Sequence, residues 1–98
     1  MIQVATFRIE HSFRINKTGL VIAGEIMSGR ISNNNIIKFK NDGSEFSLKI
    51  KAISFLDNIN EQTFKTGLTF HYKTALDKEQ FENMKVEAQI AIIEDEIN

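Results

Sequence analysis

The chain contains no cysteine, no proline and no tryptophan. Without cysteine there are no disulfides, no thiolate metal ligands and no thiol nucleophiles. Without proline, the turns must be built from residues that tolerate positive φ or bond their own backbone, and Asn33-Asn34-Asn35 and Asn41-Asp42-Gly43-Ser44 supply them. An excess of one charge is lacking too: 12 Lys and Arg stand against 13 Asp and Glu, for a net charge of −1. Such balance gives no long-range field to gather a polyanion, which disfavours tight, nonspecific binding of nucleic acid. No apolar run approaches the roughly 18 residues of a membrane span, so no membrane association is expected. The segment Met1–Arg8 lacks the basic start and long apolar centre of a secretory signal, and the expected location is cytoplasmic.

What is present fits one small domain over residues 1–98. Apolar residues make up 42% of the chain, and eight phenylalanines provide bulk for a core. The most informative stretch is Gly19–Gly29, GLVIAGEIMSG, in which glycines recur every five residues along an apolar ribbon. Glycine inside a strand marks a bulge, a corner or a close backbone approach, so this run reads as one sharply bent strand. Phe13–Thr18 precedes it as a hairpin partner.

Alternation recurs down the rest of the chain. Phe7, Ile9, Phe13 and Ile15 share one parity in a first strand, and Leu20, Ile22 and Ile26 one parity in the second. Ile37 and Phe39 open a third. Asp42-Gly43 predicts a tight hairpin turn. The return strand places Phe46, Leu48, Ile50 and Ala52 inward, with a bulge beside Ile53 expected to carry Phe55 back to the core. Leu56–Lys65 reads as a polar loop tucked down by Ile59 and Phe64. Leu68, Phe70 and Tyr72 form a fifth strand; Asp77–Met84 reads as a helical turn capped by Asp77. Val86, Ala88, Ile90 and Ile92 point inward from a sixth strand, and Glu94-Asp95-Glu96 forms a solvated tail. Six strands with no long helix predict an all-β fold, and the bent glycine strand favours a closed six-stranded antiparallel barrel.

The series Phe13-Arg-Ile, Gly19, Leu20-Val-Ile, Gly24, Ile26, Ser28-Gly29, Ile31 and Ile36-Ile37-Lys-Phe resembles the second domain of translational GTPases such as elongation factor Tu. Lys51-Ala-Ile-Ser-Phe, Gly67 and the segment Asp77–Val86 follow in the family's order, so the resemblance covers nearly the whole chain. It implies a six-stranded antiparallel barrel of the translation-factor domain 2 type. Asn16 and Asn34 stand where the family has glycine, which places asparagine at positive φ in those turns. No G-x-x-x-x-G-K-[ST] loop occurs, so a barrel standing alone, without GTP hydrolysis, is expected.

In the family this domain helps to hold the aminoacylated end of transfer RNA. Glu10 and Phe13 keep the acidic and aromatic residues that the resemblance assigns to that site, whereas His11, Ala23, Ser54 and Thr69 replace its other polar groups. A site built on hydrogen bonds discriminates poorly once its partners are gone, so binding of transfer RNA by that route is not expected.

The remaining candidates are cationic. Lys38 and Lys40 face Lys49 and Lys51 across the predicted hairpin, and four lysines on adjacent strands form either a patch for phosphate or acidic protein, or a soluble strand surface. Arg30, after Gly29, is expected to be exposed. His11 reads as a corner histidine bonded to backbone, and two histidines with no paired carboxylate make no metal set. No nucleophile–base pair or carboxylate pair is recognisable, so neither an enzyme nor a cofactor is expected. The function expected is a non-enzymatic, monomeric binding barrel whose partner is another protein, with the translation apparatus as the candidate setting. RNA or ribosome binding through the lysine face, or a small ligand at the barrel end, are the alternatives.

Overall fold

The computed structural model describes residues 2–58 and 63–96. Six strands, β1 (Ile2–Ile15), β2 (Gly19–Gly29), β3 (Ile36–Asn41), β4 (Ser44–Asn58), β5 (Thr63–His71) and β6 (Gln89–Asp95), and one helix, α1 (Ala75–Glu82), follow along the chain. Every paired edge is antiparallel, and the order β1-β2-β5-β4-β3-β6 returns to β1. This is the closed six-stranded barrel expected from alternation. Phe7, Ile9, Leu20, Ile22, Ile37, Ile50, Leu68 and Ile93 fill its interior and are fully buried. A barrel this narrow is packed by its own side chains.

Gly24 shows why the glycine strand is needed. It pairs with Ile9 on one side and Thr66 on the other, beside a bulge at Glu10 that shifts the β1 register between Ile9 and His11. A Cβ at Gly24 would stand 1.8 Å from the Arg8 carbonyl oxygen, so only a residue without a side chain admits this approach. The Asp42-Gly43 hairpin also forms as predicted. Both residues have positive φ, 51° and 78°, the signature of a tight primed turn.

Bulges also overturn several parities, because one extra residue sends every later side chain to the other face. Past Glu10, Ser12 turns inward and its hydroxyl accepts the Val86 N–H at 2.9 Å. Phe13 and Ile15 are consequently exposed. In β4 the bulge is at Lys51 rather than beside Ile53. Ile53 packs on the core, but Phe55 is 75% exposed, where β4 and β5 continue as a ribbon beyond the last β2–β5 pair, Gly24–Thr66. That ribbon replaces the loop expected over Leu56–Lys65: β4 runs to Asn58 and Asn58 pairs with Thr63. The segment Asp57–Thr63 is almost wholly polar and offers no apolar period from which pairing could be read. Ile59 and the Phe64 side chain lie outside the described residues.

The β5–β6 connection crosses the end of the barrel where the β1–β2 and β3–β4 turns lie. Its helix is capped by Thr74, whose hydroxyl accepts the Asp77 N–H at 3.1 Å, so Asp77 is the third residue of the helix and not its cap. Phe81 stacks edge-on to Phe46 and packs on Tyr72, whose hydroxyl accepts the Leu20 N–H at 3.1 Å. Val86 is buried, but the irregular residues after it shift the parity of β6. Ala91 and Ile93 point inward, while Ile90 and Ile92, expected in the core, face out. In the β1–β2 turn Lys17 takes the positive φ in place of Asn16, whereas Asn34 adopts it as expected.

Two seams of three residue pairs each, β2–β5 and β3–β6, complete the ring. The second is reinforced by side chains. Gln89 Oε1 accepts the Lys40 N–H and Gln89 Nε2 donates to the Lys40 carbonyl, both at 2.7 Å, extending the ladder past its last backbone pair. At the other end the buried Asn35 side chain accepts the Ser32 N–H and donates to Asp95, and its backbone carbonyl accepts the Ile50 N–H while the Asn34 N–H donates to the Ile50 carbonyl.

Gly24→Ala is therefore expected to cost roughly 1–3 kcal/mol, the usual penalty for forcing atoms into filled space. Gly43→Asn, at a position with positive φ but open surroundings, should change stability by about 0.5 kcal/mol or less. Urea unfolding at constant slope measures both, and equal losses at the two positions would contradict this account.

Candidate functional site

The hairpin of β3 and β4 does not gather its lysines into one patch. Lys38 forms an ion pair with Glu94 at 3.2 Å, and Lys49 one with Glu96 at 3.5 Å. Lys40 lines a groove with Lys38, Ile90 and Ile92. Lys51, displaced by the bulge, lines a different groove at the α1 end with Lys17, Lys73 and Lys78. Alternation places Lys49 and Lys51 outward on β4 beside Lys38 and Lys40 on β3, but Lys51 stands at the bulge and lies apart from the other three. Arg30 is exposed, as expected.

Glu10 is engaged in structure. The β1 bulge lifts it toward Arg8, Glu25 and Lys65, and the four side chains form an alternating ring over Gly24. Arg8 Nη2 lies 3.0 Å from Glu10 and 2.6 Å from Glu25, while Lys65 Nζ lies 2.9 Å from Glu10 and 3.1 Å from Glu25. Hydrogen bonds from Lys65 hold the Glu10 carboxyl below its ordinary ionisation range, with partial burial opposing and Arg8 adding to the effect. The same bonds, to Glu10 and then Glu25, push Lys65 up. Glu25 and Lys65 join from other strands, 17 residues from Arg8 and 55 from Glu10, and no local pattern announces them.

The register sets His11, Ala23, Gly67 and Ser54 in one row across β1, β2, β5 and β4. Ala23 is buried, and His11 and Ser54 are exposed, so the expected backbone-bonded corner histidine is instead an open imidazole. Phe13 is 41% exposed beyond this row. Thr69 donates to the Ala52 carbonyl at 3.4 Å. Neither histidine belongs to a cluster of three or more potential ligands, and among the described residues no such cluster occurs.

The outer face of β6 is the apolar feature that parity concealed. Ile90 sits opposite Arg8 on β1, and Ile92 lies between Thr6 on β1 and Lys38 on β3. Ile90 is 56% exposed and Ile92 41%, within a surface bordered by Lys38, Lys40, Glu45 and Gln89. No described helix is long and apolar enough to cross a membrane.

The charge ring fixes a pH response. Because folding lowers the Glu10 ionisation, its contribution is present above about pH 4.3 and is lost as pH falls through the lower folded value. Lys65, raised by folding, contributes below about pH 10.4 and loses this as pH climbs through its higher folded value. Glu10→Gln should lower the urea midpoint at pH 7 in dilute buffer. The gap from the parent should narrow at pH 3 and in 1 M salt, on the order of a 3 Å screening length. A gap unchanged by both acid and salt would rule out the electrostatic role.

No protein-family model, curated protein or solved structure matches this chain.

Proposed function

We propose that this chain is a non-enzymatic binding barrel that docks on another protein through the outer face of β6. The observation that carries this reading is that β6 is apolar on both faces: Ala91 and Ile93 belong to the core, yet Ile90 and Ile92 lie open on the outside. Single exposed apolar residues are ordinary, but adjacent ones within a polar border mark contact surfaces. Neighbouring ion pairs, Lys38–Glu94 and Arg8–Glu25, neutralise much of the surrounding charge, so the contact is chiefly apolar with a polar rim. The packed interior supports recognition from outside the barrel over carriage of a small ligand within it.

The resemblance of the chain to the second domain of translational GTPases gives the partner its proposed setting, the translation apparatus.

Ile90→Lys with Ile92→Glu alters only outward side chains and should leave the unfolding curve close to that of the parent. A photo-crosslinking residue at Arg30 serves as the control for one placed at position 90. In nuclease-treated native lysate, crosslinking from position 90 should give a discrete protein adduct that excess parent chain competes away and excess doubly substituted chain does not. Adducts equally abundant from both positions, or an adduct consisting of two copies of this chain, would refute the proposal.

A further inference from the structure

Two depressions at the α1 end of the barrel meet at His71, Tyr72 and Lys73. They differ in chemistry. The first, about 380 Å³, lies between α1 and the β4–β5 surface and has Phe46, Tyr72 and Phe81 along its walls, with Asp77 and Gln80 at hand. The second, about 400 Å³, is lined by Lys17, Lys51, Lys73 and Lys78, together with Thr18 and Thr74, and by no carboxylate. None of those four lysines forms an ion pair among the described residues. Lys78 Nζ is instead anchored to the Lys17 carbonyl oxygen at 2.9 Å. Glu79 and Glu82 line an adjoining depression with Arg14, which Lys17 and Lys78 also border, but neither carboxylate forms an ion pair with those lysines.

From this juxtaposition we propose that the α1 end binds a nucleotide unit, with its base against the aromatic groove and its phosphate over the four lysines. The site goes beyond the protein-docking reading and uses different residues. Like charges gathered with no carboxylate in ion-pair contact repel one another, and a bound phosphate relieves that repulsion. The start of α1 adds to the positive end, because Ala75, in its first turn, lines the lysine groove. The aromatic walls supply faces for stacking, the feature that a purely electrostatic patch lacks. Asp77 and Gln80 offer an acceptor and an amide for base edges, and the carboxylate at this end sets the direction in which the ligand lies. Both grooves are open and run into each other, as a chain of successive nucleotides requires.

The source of the nucleotide unit is either single-stranded RNA or a free nucleotide, and one titration separates them. Fluorescence anisotropy of a labelled oligoadenylate of about twelve nucleotides is the primary readout. Binding is expected with Kd of about 10⁻⁴ to 10⁻⁶ M near physiological salt and a log–log salt slope of about −2 to −3, for three or four phosphates engaged on a single strand. Lys51→Gln with Lys73→Gln should weaken it about tenfold and flatten the slope. Lys38→Gln with Lys40→Gln, on β3, should leave it unchanged. Adenosine monophosphate competing only at far higher concentration than the strand assigns the site to RNA; competition at equal nucleotide concentration assigns it to the free nucleotide. Tyr72, the only tyrosine in a chain without tryptophan, provides a second readout, since its emission should change with either ligand. Absence of binding, indifference to Lys51 and Lys73, or equal binding of inorganic polyphosphate would overturn the proposal. The last outcome would leave the aromatic groove without a role.

Discussion

Closure is the constraint on which this molecule depends. Four of the six strand contacts are long hairpin or flanking ladders, but the ring is completed by two short seams, β2–β5 and β3–β6, of three residue pairs each. An unpaired edge exposes a row of backbone donors and acceptors, which is costly when buried and adhesive when open. At the β3–β6 seam the deficit is met by Gln89 at one end and Asn35 at the other, each bonding backbone and spanning elements distant in sequence. At the β2–β5 seam Gly24, paired with Ile9 and Thr66, lets β1 approach closely beside the Glu10 bulge.

The same bulges shape the surface. By adding one residue to β1, the Glu10 bulge turns Phe13 and Ile15 out of the core and lifts Glu10 into the ring with Arg8, Glu25 and Lys65. By adding one to β4, the Lys51 bulge directs that lysine toward Lys17, Lys73 and Lys78 and away from Lys38 and Lys40. Balanced net charge therefore conceals an uneven distribution. Pairing consumes charge along β1–β2–β5 and along β3–β6, whereas at the α1 end Lys17, Lys51, Lys73 and Lys78 form no ion pair among the described residues. That end also carries the aromatic side chains which the crossing helix leaves half-buried.

Much of the fold was legible in the sequence, and particular residues show where legibility stopped. The core positions Phe7, Ile9, Leu20, Ile22, Ile37, Phe39, Leu48, Ile50, Leu68 and Phe70 follow from alternation between turns, and all are buried. Gly24 and the Asp42-Gly43 turn follow from backbone sterics. Ile90 and Ile92 were misread because alternation reports which residues share a face without saying which face is wet. Their neighbours Ala91 and Ile93 are equally apolar, and the irregular segment after Val86 decided the choice. The lysine grouping failed for a related reason: strand parity holds only until the next bulge. For the ring around Glu10, Glu25 and Lys65 join Arg8 and Glu10 from other strands and left no local trace, and the Gln89 clamp depends on a register visible only once β3 and β6 meet.

The sequence by itself determined an all-β barrel, its filled interior, its turns and the absence of thiol chemistry, because these depend on local sterics and on periods of two residues. Tertiary structure decided which isoleucines face outward, which lysines keep company and which carboxylates are neutralised. Those outcomes turn on register, where a single inserted residue changes the face, and on closure, which brings together side chains that no window of sequence contains.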